Sequence, residues 1–264
     1  MRICYKGRFL SSEQIWFEGF DTYESVRELR TKADNIFVCA NPTPLEGKYM
    51  SCHEQESLIS CLNAETDEIM QRFSSTTRNE IRRAEREGVQ ICFYSSDDVN
   101  QNDDVLKRMA VLYTNMYAEK GMPGIELPIG ELRAYAKSGH LLITVASIDG
   151  SEVVFHSYIV CENKSRLLHS CSEFRVADNA ARNAIGRANK YLHFKDMERL
   201  SSIGVDRYDW GGISSSCEPN GIDKFKMSFG GELAKYYNIK YVRSFKQRLL
   251  ERVLRSFHRG KKNG

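Results

Sequence analysis

Three apolar runs in quick succession constrain the fold more than any other stretch of the chain. Leu141 to Ile148, Glu152 to Val160 and Arg166 to Ser172 are separated only by an Asp149-Gly150 turn and a polar stretch at Glu162 to Ser165. Connections this short join neighbouring antiparallel strands, because a parallel return needs a crossover of a dozen or more residues. An antiparallel meander is therefore expected at the centre. Before it, Asp103 to Glu119 places Val105, Leu106, Met109, Leu112, Tyr113 and Met116 on one helical face, Gly121 to Gly124 ends that pattern, and Pro128 suits the first turn of a helix running to about Ser138. After it, a long helix is expected from about Arg187 to Ser202, then a strand from Val205 to Trp210 beside the last member of the meander. This order predicts an α/β domain of the α+β kind, a mixed and mostly antiparallel sheet flanked by helices.

Upstream the signals are weaker. Thr77-x-x-Glu80 fits a capping box, Gly88 sits where a C-terminal glycine cap belongs, and Val89 to Tyr94 reads as a strand. Residues 1 to 70 offer strand candidates at Gln14 to Phe20 and Asn35 to Ala40, a helix candidate at Tyr23 to Lys32, a turn at Pro42-Thr43-Pro44, and no motif with a chemical meaning.

Two glycine-framed segments near the C-terminus carry the most specific signal. Tyr208-Asp209-Trp210-Gly211-Gly212-Ile213 reads as a strand stopped at two glycines, where a ligand can approach the backbone. Gly221-Ile222-Asp223-Lys224-Phe225-Lys226-Met227-Ser228-Phe229-Gly230-Gly231 reads as a short helix closed by glycine and presenting lysines. Together with the element order, from about Ser74 to Tyr241, these segments resemble the C-terminal signature of the Fem-type aminoacyltransferases. These form a branch of the GNAT acyltransferase superfamily that attaches amino acids to cell-wall precursors. The resemblance implies a GNAT-like fold, and Fem-type enzymes carry two such halves. The chain is too short for two complete ones, so the expected organisation is a reduced first half over residues 1–95, a full acyltransferase core over 96–243 and a tail over 244–264.

The resemblance also implies roles for residues. It presents the lysine of the Phe225-Lys226 pair toward the acyl transfer centre, where a fixed cation stabilises the tetrahedral oxyanion. It sets Asp209, Tyr208, Trp210, Gly211 and Gly212 where the GNAT fold splays two strands to admit the acyl donor. Asp209 is then either a base for the attacking amine, a group that positions a lysine, or a cap for nearby backbone donors. Lys224 cannot share a helical face with Lys226 and is expected to meet phosphate or solvent.

Further cations suggest anion sites. Gly186-Arg187-Ala188-Asn189-Lys190, at the expected start of the long helix, offers backbone N–H groups and two positive side chains. The stretch matches the last two positions of the superfamily's pyrophosphate loop and departs at the first. Acyl-CoA is accordingly the expected co-substrate, with aminoacyl-tRNA, which the Fem resemblance implies, as the alternative. Arg78, Arg82 and Arg86 form a stripe suited to a diphosphate, although Glu80, Glu85 and Glu87 lie close enough for ordinary ion pairs. His156 and His169 fall on meander strands, each either a base or a hydrogen-bonded core residue.

Charge and cysteine usage set the surroundings. Nine basic residues and one acid between Lys240 and Gly264 give that segment +8 and leave −5 on residues 1–239, against a total of +3. The tail's Phe245, Leu249, Leu250, Val253, Leu254 and Phe257 share one face opposite arginines, so residues 244–262 suit an anionic membrane or RNA, and DNA binding is not expected. The eight cysteines lack C-x-x-C spacing and the six histidines lack metal spacing, so reduced thiols, no metal and a cytoplasmic location at the inner face of the membrane are expected. The expected function is acyl transfer to an amine of a lipid-linked sugar, nucleotide-sugar or peptidoglycan precursor. The alternative from another class is a binding module on the same scaffold.

Overall fold

The computed structural model describes residues 1–7, 9–173 and 178–249. In chain order the first elements are β1 (Arg2–Lys6), β2 (Ser11–Trp16), α1 (Tyr23–Arg27), β3 (Asn35–Asn41) and β4 (Met50–Cys61). Then come α2 (Thr66–Gln71), α3 (Ser75–Arg86), β5 (Gln90–Tyr94), α4 (Ser96–Gln101), α5 (Asp104–Glu119) and α6 (Ile129–Lys137). The meander follows as β6 (Leu141–Ile148), β7 (Ser151–Cys161) and β8 (Lys164–Ser172), and the chain continues through α7 (Asn179–Ser202), β9 (Arg207–Ile213), α8 (Gly221–Met227) and β10 (Glu232–Val242).

The chain forms two compact units, Met1–Gln55 with the segment from Lys235 onward, and Glu56–Ala234. In the first unit β1 pairs antiparallel with β2, β2 parallel with β3, and β3 antiparallel with β10. Its core gathers Ile15, Phe20, Val26, Ile36, Val38, Leu45, Ile239 and Tyr241. Past Val242 the chain is helical again over 245–249, where Phe245 and Leu249 are 76% and 52% exposed. The tail residues from Leu250 onward lie outside the described residues.

The second unit holds a sheet in the order β4-β9-β8-β7-β6-β5, antiparallel throughout except for β8 and β9. Residues 56–95, expected with the first half, lie in this unit, where β5 pairs with β6 and α3 packs on α7. Helix α5 covers one face at β8, burying Val105, Leu106, Met109, Tyr113 and Met116, while α7 covers the other. Strands β6 and β7 are apolar on both faces because helices lie on both.

Two helix starts correct the sequence reading. Helix α3 is capped by Ser74, whose Oγ accepts from Thr77 N at 3.2 Å, so Thr77 is an inner residue and not the cap. Thr77 is buried and its hydroxyl bonds Ser228 Oγ at 2.9 Å, a tertiary role that a local capping pattern cannot reveal. Helix α7 begins at Asn179, capped by Asp178, two turns before Arg187.

Candidate active site

The site is built where β9 departs from β8. Ladder pairing between them runs only from Lys164↔Arg207 to Arg166↔Asp209, although β8 continues to Ser172 and β9 to Ile213. Beyond Asp209 the facing backbone groups of the two strands are not spent on each other. Both strands bulge at this point. Tyr158 pairs with Leu167 but Ser157 with His169, leaving Leu168 extra on β8, and the β4–β9 register shifts between Ser57 and Ile59. Gly211 turns the bulge with φ of 74°, and a Cβ there would sit 3.1 Å from the Leu167 carbonyl oxygen. A side chain at 211 is therefore opposed by both dihedral and contact.

On the α5 face of β9, Asp209 is 3% exposed and both of its oxygens are hydrogen-bonded. Its Oδ2 accepts from Arg166 Nη1 at 2.6 Å, and its Oδ1 accepts from Gly211 N at 2.9 Å. Ser57 Oγ lies 2.5 Å from Asp209 Oδ1 and 2.6 Å from Gly211 O; with one proton it donates to one of them at a time. The carboxylate thus fixes the bulge and Arg166 together.

Helix α8 delivers Lys226 to the same place. Its start is pinned by a capping box in which Asn220 Oδ1 accepts from Asp223 N at 3.0 Å and Asp223 Oδ2 accepts from Asn220 N at 3.2 Å. Asp223 also accepts from Ser214 N at 3.0 Å, tying α8 to the end of β9. One turn on, Lys226 Nζ donates to Gly212 O at 2.7 Å. Burial, then the Arg166 cation, push the lysine pKa down, while Asp209 and Asp223 pull it up. Two cations and one shared carboxylate therefore meet at the end of the ladder.

On the α7 face the polar groups form a closed chain. Tyr158 Oη donates to Asp196 Oδ2 at 2.6 Å, Tyr208 Oη donates to Tyr158 Oη at 2.7 Å, and His193 Nδ1 donates to Tyr208 Oη at 2.8 Å. Asp196 Oδ2 also accepts from His156 Nδ1 at 2.8 Å, and His156 Nε2 contacts Asn189 Oδ1 at 2.9 Å. Burial, then Asp196, raise both phenol pKa values well above the ordinary tyrosine range, and burial pushes His193 well below its ordinary value. This chain of hydroxyls and ring nitrogens ends on the Asp196 carboxylate.

His156, His193 and Asp196 bring ligand atoms within 4.8 Å of one another, the arrangement a metal would need. However, the two imidazoles stack with centroids 4.0 Å apart and planes 26° from parallel, so their in-plane lone pairs run side by side and do not converge. The donor set fits a hydrogen-bonded network better than a metal.

The structure brings Asp209, Tyr208, Trp210, Gly211, Gly212, Phe225 and Lys226 together. Lys224 is exposed, Arg82 is exposed, and Arg78 Nη1 donates to the carbonyls of Gln71 and Phe73 at 3.1 and 2.5 Å. The expectation that Gly186, Arg187, Ala188, Asn189 and Lys190 open a helix is corrected. They lie inside α7, where their N–H groups are available only to the helix ladder. Arg187 clamps Glu87 at 2.8 and 2.9 Å, Lys190 pairs with Glu80, Ala188 is buried and Asn189 meets His156. Ser57 and Arg166 escaped the sequence reading. A lone arginine opening an apolar run was the available signal for Arg166; the uninformative stretch around Ser57 gave none.

No family model and no curated protein matches the chain. Among solved structures it is similar over 95% of its length, and 85% of theirs, to FemX, with a TM-score of 0.60 and 14% identity. The C-terminal domain of a putative lysylphosphatidylglycerol synthetase from Agrobacterium fabrum matches with a TM-score of 0.52 and 13% identity, covering 94% of this chain and 82% of that one. A conserved protein of unknown function from Bacteroides thetaiotaomicron matches at 0.51 and 13%, covering 89% and 80%. The chain thus shares the fold of FemX.

Proposed function

We propose that the protein transfers an acyl group from an activated ester to a primary amine by direct attack in a ternary complex. The observation that carries this reading is the half-buried Lys226 ammonium, held against Gly212 O beside the Arg166–Asp209 pair where the β8–β9 ladder ends. A tetrahedral oxyanion formed there meets two fixed cations, and Lys226 exchanges only a carbonyl for it. Removing one such donor commonly lowers turnover about 10²-fold. Asp209 holds Arg166 and the bulge in place, since its oxygens are already engaged by Arg166, Gly211 and Ser57.

For the donor we favour an aminoacyl ester carried on tRNA over acyl-CoA. A coenzyme A diphosphate at the start of α7 would face the Asp178 carboxylate, which caps Ala181 N at 2.7 Å, and Arg187 and Lys190 are already matched by Glu87 and Glu80. The likeness to FemX supports the same donor class, and a neighbour named a lysylphosphatidylglycerol synthetase supports an amino acid as the acyl group. The acceptor we propose is an amine of a cell-envelope precursor, glycan or peptide, reached at the membrane face with help from the exposed Phe245 and Leu249.

The test uses the full chain with mixed charged tRNAs and, separately, with acetyl-CoA. Native mass spectrometry is expected to retain aminoacyl-tRNA and not coenzyme A, and Lys226→Ala to keep donor binding while transfer to an envelope-precursor extract falls about 100-fold. Retention of coenzyme A alone would overturn the donor, and an unimpaired Lys226→Ala enzyme would remove the oxyanion assignment.

A further inference from the structure

His169 shares the face of the sheet that carries Asp209 and Arg166. In the β7–β8 register Arg166 faces Ile159 and His169 faces Ser157, and residues two apart on β7 project to one side. Simple alternation would send residues 166 and 169 to opposite faces; the extra residue, Leu168, is what brings them together. The ring is fixed from two directions. Its Nδ1 lies 2.9 Å from Ser157 Oγ, a fully buried hydroxyl, and the ring meets Tyr113 of α5 at 5.6 Å and 85°, with Tyr117 tilted by 52° against the far side of that tyrosine. Burial holds the imidazole uncharged, with its pKa pushed down to about 4. Arg166, with its partner Asp209, lies on the same face of the sheet, and Tyr113 of α5 lies against the ring with Tyr117 beyond it.

We propose that His169 is the acceptor-amine contact of this site, its Nε2 accepting a hydrogen bond from the attacking N–H while Nδ1–H donates to Ser157. The inference rests on the acyl-transfer reading. Asp209 is 3% exposed and already accepts from Arg166 and Gly211 with Ser57 against it, whereas one nitrogen of His169 is bonded by Ser157 and the other is left to a substrate. In the reaction the amine nitrogen bonds to the ester carbon and the carbonyl electron pair moves to oxygen beside Lys226. Collapse then breaks the bond to the leaving oxygen. The proton shed by nitrogen passes to that oxygen, so the product is an amide plus an alcohol and His169 ends as it began.

The experiment has one arm that needs no turnover. In ¹⁵N-histidine spectra of the full chain near neutral pH, His169 is expected as the uncharged Nδ1–H tautomer. Ethanolamine should shift its Nε2 resonance, whereas choline, which has no N–H, should not. In the second arm His169→Ala is expected to lower kcat/KM for the amine about 30-fold with donor binding unchanged, and His169→Gln, which keeps an acceptor, to recover most of it. An Nε2–H tautomer, or no response to ethanolamine, overturns the proposal, as does wild-type turnover in both variants. If the wild type transfers nothing from any donor, the transferase reading falls, and the ethanolamine response still decides whether His169 meets an amine.

Discussion

The two faces of β9 take adjacent residues of one short segment to opposite ends of polar chemistry. On the α7 side Tyr208 and Trp210 enter a buried network of hydroxyls and rings that ends on Asp196. On the α5 side Asp209 holds an arginine, a serine and a backbone N–H, and Lys226 lies within electrostatic reach. The strand's period of two separates the two sets cleanly. One face spends its polar groups on each other and so supports the strand; the other keeps the Lys226 cation against a carbonyl, a partner it can exchange.

Breaking the charged face should have the largest effect. Asp209→Ala leaves Arg166, only 7% exposed, without its carboxylate, and strips acceptors from Gly211 N and Ser57. The expected loss is about 3 kcal/mol in urea unfolding, with acyl transfer abolished. A loss below about 1 kcal/mol would mean that Arg166 finds equal support elsewhere and that the two faces of β9 differ less in chemistry than Asp209 and Tyr208 suggest.

The supporting face should yield less, and should do so through acid. His193 is held uncharged in the folded state with its pKa below the ordinary value of about 6.5, so below that pH the unfolded chain binds a proton the folded chain refuses. Stability is therefore intact above about pH 6.5 and declines as pH falls through the window beneath it, at up to about 1.4 kcal/mol per unit for this group. His169 adds to the same limb down to about pH 4. His193→Gln should flatten the decline when urea midpoints are compared between neutral and mildly acidic pH. Tyr208→Phe removes one hydroxyl from the chain and should cost about 1–2 kcal/mol while transfer stays within a few-fold of wild type. A Tyr208→Phe enzyme that folds well but has lost transfer would show that the network does more than support β9.

What the sequence disclosed follows from how local each signal is. The meander was legible because turns and alternation are set within a few residues, and the glycine-framed segments because Gly211 and the pair Gly230-Gly231 hold backbone conformations with positive φ. A Cβ on Gly231 would lie 2.7 Å from the Ile59 carbonyl oxygen, so that glycine reflects a close approach to β4 as well. Strand β4 itself reads as Met-Ser-Cys-His-Glu-Gln-Glu-Ser-Leu-Ile-Ser-Cys, whose first half is too polar for a strand pattern, and Ser57 meets Asp209 across 152 positions of chain. Helix α7 starts two turns before the expected Arg187 because Asp178 supplies its cap, in a stretch whose apolar periodicity is weak. The pairing of Arg166 with Asp209 required knowing that β8 and β9 run parallel, a fact no local window contains.

The smallest effect is expected from Lys190, and it is informative for that reason. The side chain lies on α7, pairs with Glu80 and sits 5.9 Å from the centre of the Phe225 ring, next to the residue assigned to the oxyanion. If α7 only supports the site, Lys190→Gln should cost well under about 1 kcal/mol and leave donor affinity unchanged, because a partly exposed ion pair contributes little and no phosphate depends on it. Titrating the variant with charged tRNA and with acetyl-CoA at two salt concentrations reads this directly. A tenfold loss of affinity for either donor, deepening at low salt, would place α7 in the donor site and erase the division between a supporting face and a reacting one.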